Sequence, residues 1–251
     1  MDILLITAQD GWAQLTLNRE ARRNALDTAL LAAVAGALAR LAAQDACRAV
    51  VIAGAGGHFA AGADIDEIAE KTSAQAALDP RLGFWATIRA FPKPLIAAVD
   101  GMALGGGFEL ALMADLLVAG DTARVGLPET NLGLIPGAGG GQRLLARAGP
   151  TRTARMTLLG ELIDADTAFD WGIASHRAPE AVPEAARLAA RLAGRAPLAL
   201  RAMKAALIAG AEGALALAPE RAAFEALLDT QDKSTGITAL RARTTPEFHG
   251  R

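Results

Sequence analysis

Two carboxylates, Glu109 and Glu129, stand in the most glycine-dense stretch of this chain, the run GMALGGGFELALMADLLVAGDTARVGLPETNLGLIPGAGGG from Gly101 to Gly141. Paired acids of this kind perform general acid–base chemistry. If both face one water molecule they cannot both ionise cheaply, so one carboxyl is expected to keep its proton near neutral pH and serve as the acid. Gly105-Gly106-Gly107 precedes Phe108-Glu109-Leu110 in helical register. The opening amides of a helix have no internal partners and carry the positive end of its dipole, so a bare turn there lets a developing negative charge approach the backbone. Glu129 follows Ala123-Arg124-Val125-Gly126-Leu127-Pro128, an extended piece broken by proline, and is predicted on a loop. The same two acids also suit a plainer reading, one favouring a helix N-terminus and one solvated on a loop.

Other chemistries find less support. His58, His176 and His249 are scattered, and no His/Cys/Asp group has metal-ligand spacing, so no metal is expected. Ser73, Ser175 and Ser234 stand outside any nucleophile elbow. Counted from Gly105 and Gly107, a dinucleotide fingerprint would need its third glycine where Leu110 stands, and there is no phosphate-loop lysine. The expected chemistry needs no cofactor.

These acids need elements to position them. Leu95 to Val99 reads as a short buried strand, then a turn at Asp100-Gly101, the glycine cluster and the Glu109 helix, with another strand near 116 to 119. Upstream, Ile3 to Thr7 and Trp12 to Leu17 flank Asp10-Gly11, a hairpin signal. Asp27 is placed to cap a helix running to about Ala43, with Leu30, Leu31, Val34, Leu38 and Leu41 on one face. Ala49 to Ala53 is a further buried strand, and this alternation predicts an α/β fold. Residues 66 to 83 lack a strong period and contain Asp79-Pro80; they are expected to cover the pocket as a mobile segment, while Leu82, Phe84, Trp85 and Ile88 suit either the pocket wall or, preferably, the core. Helices are predicted over Gln142 to Ala148, Arg152 to Leu159, Asp164 to Trp171, Pro183 to Ala193, Pro197 to Ala209, Pro219 to Leu228 and after Asp232.

With 251 residues, 52% of them hydrophobic, the chain can bury a full core without staples. A net charge of −2 and the absence of tyrosine argue against nucleic acid and anionic membranes as partners. A single cysteine, Cys47, expected buried, excludes an internal disulfide framework and suits a reducing cytosol. No run reaches the ~20 apolar residues of a membrane span, and no signal peptide is visible, so a cytoplasmic location is expected. Arg19, Arg22 and Arg23 crowd one polar loop, which suits either solvation or phosphate recognition.

GMALGGGFELALMADLLVA with GLPETNLGLIPGAGGGQRL closely resembles the signature of the enoyl-CoA hydratase/isomerase, or crotonase, superfamily. The resemblance runs from Asn18-Arg19 and Asn24-Ala25-Leu26 through His58 to Ile65 and on to Thr245-Pro246-Glu247-Phe248, nearly the whole chain. Through AAGADIDEIAEK, KPLIAAVDGMALG and TPEFHGR it most resembles the bacterial hydratases of phenylacetate catabolism that act on 2,3-dehydroadipyl-CoA. The resemblance implies a crotonase-like spiral of repeated ββα units over 1–195 and a helical C-terminal trimerisation region over 196–251. It implies that Glu109 positions a water and accepts its proton, that Glu129 delivers a proton to the substrate, and that the backbone amides of Ala63 and Gly106 form an oxyanion hole. Contacts to substrate and coenzyme A are implied for Arg22, Arg23, Ala25, Ala61, Asp64, Ile65, Leu132, Gly137 and Arg243, the last where relatives commonly carry lysine. The implied partners are an acyl-CoA substrate and copies of the same chain, as a trimer or a dimer of trimers. Hydration of a 2-enoyl-CoA is the expected reaction; isomerisation of the double bond, or a CoA-binding scaffold without turnover, are the rival readings.

Overall fold

The computed structural model describes residues 2–69, 71–211, 224 and 226–251. Strands β1 (Leu4–Ala8) and β2 (Trp12–Leu17) form the predicted antiparallel hairpin, with Leu4 opposite Leu17 and Ala8 opposite Ala13. Gly11 has φ +76° in the turn, a value an L side chain resists. Helix α1 (Thr28–Ala42) begins where Asp27 accepts a hydrogen bond from the Leu30 amide, and its five predicted core residues are all buried. Burying each such leucine contributes about 1.5–3 kcal/mol.

Strand β3 (Ala49–Gly54) follows, then three short helices, α2 (Ile65–Ile68), α3 (Ser73–Ala77) and α4 (Arg81–Arg89). Strands β4 (Leu95–Val99) and β5 (Met102–Leu104) lead into α5 (Gly106–Leu112); β6 (Leu116–Gly120) and β7 (Arg124–Gly126) lead through a 3-10 turn, Glu129–Leu132, into α6 (Gly140–Leu158). The chain closes with β8 (Ile163–Asp164), α7 (Ala165–Asp170), β9 (His176–Ala178), α8 (Ala181–Ala193), α9 (Pro197–Ala211) and α10 (Gln231–Ala242). The two helices expected over 142–148 and 152–159 are joined as α6 with a break at Gly149, which has φ 77° and precedes Pro150. The helix expected over Pro219 to Leu228 falls mostly outside the described residues.

A larger sheet has the order β1-β2-β3-β4-β6-β9, parallel from β2 onward, and a smaller one the order β5-β7-β8. Ala60 extends the smaller sheet by bridging to Ala103. Each turn of chain therefore lays one strand in the large sheet, one in the small sheet, then a helix, as in β4-β5-α5 and β6-β7-α6. This is the expected spiral of ββα units. Strands β3 and β4 are apolar throughout because both faces are covered. Val50, Ile52, Leu95, Ala97 and Val99 join the α1 side of the core, whereas Val51, Ile96 and Ala98 pack with Ala185, Leu188 and Ala189 of α8.

The segment 66–83, in which no strong period was visible, holds short helices. It forms α2, α3 and the start of α4, and Asp79 ties it down: Arg81 donates to Asp79 from its backbone and from Nε, both at 2.9 Å, and Lys71 pairs with the same carboxylate. Asp79-Pro80 ends one helix and opens the next, as a proline in a first turn can.

Candidate active site

Helix α5 is where the two acids converge. Its N-cap, Gly105, has φ 48° and ψ −126°, a backbone conformation that favours glycine, and a Cβ there would lie 3.2 Å from Glu129 Oε1 and press on that side chain. Glu109 sits in the first turn of α5, 4% exposed, and its Oε1 accepts hydrogen bonds from the amides of Ala138 (2.7 Å) and Gly140 (2.8 Å). Those donors belong to the entry of α6, so one helix start locks the side chain of another.

Glu129 lies in the connection between β7 and α6, where it begins the short 3-10 turn after Pro128. Among the described residues, its Oε2 is the one buried side-chain polar atom that accepts no hydrogen bond from the protein. Burial pushes its carboxyl up to about 7; a backbone hydrogen bond works against the rise, and the Glu109 charge adds to it. The acid pair anticipated from the sequence is thus split, with Glu129 as the carboxyl that holds a proton near neutrality.

The two predicted oxyanion amides are neighbours. Leu26 donates to Gly62 O and accepts from Asp64 N, a parallel bridge that uses the groups on either side of Ala63 and turns Ala63's own N–H the other way. On that side lies Gly106, whose Cβ, if it had one, would sit 3.5 Å from the Ala63 nitrogen. Gly106 opens α5, where an amide has no intrahelical acceptor.

Glu109, Glu129, Ala63 and Gly106 all border one cavity of about 390 Å³. Ala61, Ile65, Leu132 and Gly137, assigned to substrate binding, also line it, as do Leu82 and Trp85; Ile88 is instead in the core. Arg22, Arg23, Ala25, Asp64 and Arg243 do not line it. Arg22 pairs with Asp66 on the surface, and Arg243 ends α10 in the left-handed conformation, exposed. Asp64 is a buried partner of Arg19 at 3.0 Å, and its side chain caps α2, so its place in the site is as a support for Ala63. Among the described residues no group of three or more His, Cys, Asp or Glu is placed to hold a metal.

Sequence reasoning missed the supports. Asn24, fully buried at φ 57°, donates from Nδ2 to Ala55 O and His58 O and so bolts the 19–26 loop to the turn that follows β3 and leads to Ala63. The amides of Ala138 and Gly140 were invisible because a backbone donor leaves no residue signal. Arg147 donates to Leu112 O and Ala114 O, satisfying carbonyls at the far end of α5.

The spiral and the acid pair beside two neighbouring amides define a class. Residues 7–251 match the enoyl-CoA hydratase/isomerase family, and the chain belongs to it. At a finer level it is 46% identical to the 2,3-dehydroadipyl-CoA hydratase of Escherichia coli strain K12 across the full length of both. It is 39% identical to a probable enoyl-CoA hydratase of Rhizobium meliloti, covering 100% of this chain and 99% of the other. Among solved structures it superposes on subunit I of an enoyl-CoA hydratase from Geobacillus kaustophilus with a TM-score of 0.95 and 36% identity, over 100% of this chain and 99% of that one.

Proposed function

We propose that this protein is a hydratase that adds water across the 2,3 double bond of a 2-enoyl-CoA to give the 3-hydroxyacyl-CoA, without a cofactor. The observation that carries the reading is the pairing of a fixed Glu109 with a proton-holding Glu129 in a cavity also bordered by the Ala63 and Gly106 amides. In this reaction the two amides take up the thioester oxygen as it becomes enolate-like. Glu109 orients the water and receives its proton as the oxygen bonds to C3, and Glu129 delivers a proton to C2. The amides act where charge appears only in the transition state, which is where preorganised donors contribute most.

The finer part of the proposal is that the substrates include 2,3-dehydroadipyl-CoA, as the name of the E. coli relative suggests. The test is loss of absorbance of the conjugated thioester across a panel of enoyl-CoAs run in labelled water. Incorporated solvent oxygen in the product is expected. Migration of the double bond without incorporation would identify an isomerase, and tight binding of CoA esters with no turnover would identify a scaffold. We place the protein in the cytoplasm as a trimer or dimer of trimers, with Arg22, Arg23 and Arg243 offering charge to the coenzyme; light scattering tests the assembly.

A further inference from the structure

Beyond the two acids, Asp79 and Arg81 are the remaining charged residues that border the cavity among those described, and Arg81 is the one cation. They come from a different wall, the α3–α4 junction, which is otherwise apolar, with Ile68, Leu82 and Trp85. The Arg81 side chain is only 15% exposed. Its Nε donates to Asp79 Oδ2 at 2.9 Å, which sets the plane of the guanidinium, and Nη2 lies 2.8 Å from the same oxygen. Nη1 lies 3.7 Å from Glu67, too far for a hydrogen bond. Asp79 divides its charge between Arg81 and Lys71, while Glu67 is engaged by the Thr28 amide and hydroxyl at the start of α1, at 2.9 and 2.8 Å. Arg81 is therefore hydrogen-bonded through one edge only, with Glu67 a looser ion partner at Nη1, and it keeps donors for another carboxylate.

Taken with the hydratase reading, on which this rests, we propose that Arg81 is the specificity residue that receives the distal carboxylate of a dicarboxylic enoyl-CoA. A carboxylate carried into this wall must find a charged hydrogen-bond donor or pay its desolvation. The planar guanidinium suits a carboxylate better than an ammonium does. A monocarboxylic chain of equal length would leave Arg81 facing a methyl group, a mismatch that polar sites reject strongly.

The test compares hex-2-enedioyl-CoA with hex-2-enoyl-CoA as substrates, and adipyl-CoA with hexanoyl-CoA as unreactive ligands by calorimetry, in the full-length protein and in Arg81→Gln and Arg81→Lys. The wild type should prefer the carboxylate-bearing member of each pair, and Arg81→Gln should cut that preference by about 100-fold. If orphaning Asp79 makes Arg81→Gln melt early, Arg81→Lys carries the test: it keeps the ion pair but not the fork, and a loss of about tenfold is expected. A wild type without preference, or a preference that survives both substitutions, overturns the proposal. Absence of turnover on both substrates would sink the hydratase reading alone, since the calorimetric pair still decides the role of Arg81.

Discussion

Glu129 combines burial, a lone buried oxygen and a carboxyl pushed up to about 7, and each has a measurable consequence. Because the folded protein holds this proton more tightly than an unfolded chain with an ordinary value of 4.5, stability attributable to the residue is complete below 4.5 and is lost as pH rises through about 7. Glu129→Gln removes the titration. Its melting temperature relative to wild type is therefore expected to rise between pH 4.5 and 7 and to level off above, whereas hydration falls by about 10²–10⁴ with thioester binding retained. A variant that turns over like wild type would remove Glu129 from the reaction. In the wild type, kcat/KM should decline as pH rises through about 7, since the acid form is the one that delivers a proton; a flat profile to pH 9 would contradict the role. Gly106→Ala tests the oxyanion amides: both N–H groups remain and the added methyl meets the Ala63 nitrogen at an ordinary 3.5 Å, so the fold should survive, but the methyl crowds the place beside that donor where the oxygen must sit, and the rate should drop by about 10²–10³, as for a lost donor.

The neighbouring glycine in α5 gives the opposite outcome. A Cβ at Gly107 would lie 2.2 Å from Ala60 O, a backbone atom of the smaller sheet, so the helix could not stay where it is. Gly107→Ala is expected to cost about 1–3 kcal/mol or more, seen as a lowered melting temperature, together with lost activity. Equal melting temperatures for the alanine variants at 106 and 107 would show that α5 is not held this tightly. Elements whose burial follows a local pattern were legible from the chain: α1 showed one apolar face of leucines and its Asp27 cap, and β3 and β4 showed the short unbroken apolar runs of strands covered on both faces. The 66–83 segment was not. Its short helices have no periodic face, and what orders them is Asp79 with Lys71 and Arg81, a tertiary cluster.

Across the whole molecule, the division of the chain at 195 meets a physical tie. Lys204 of α9, 7% exposed, donates to Asp115 Oδ2 and to Lys93 O, both at 2.8 Å, while Lys93 itself donates to the carbonyls of Leu41, Gln44 and Cys47. Asp232 in turn accepts from the amides of His249 and Gly250, fastening the end of the chain to α10. A 1–195 fragment therefore loses a buried cation from beneath Asp115 and should melt well below the full chain; an unchanged melting temperature would make the first 195 residues an independent unit. The sequence by itself determined the alternation of strands and helices, the hairpin, the glycine turn and the two acids, because side-chain period and turn chemistry are local properties. The resemblance implied that Glu129 delivers the proton, but only the tertiary structure showed what makes it keep one, which amides hold the other acid, and that Asp64 supports the site while Arg81 borders it. Burial and hydrogen bonding between segments tens of residues apart set those outcomes, and neither is written in the spacing of residue types.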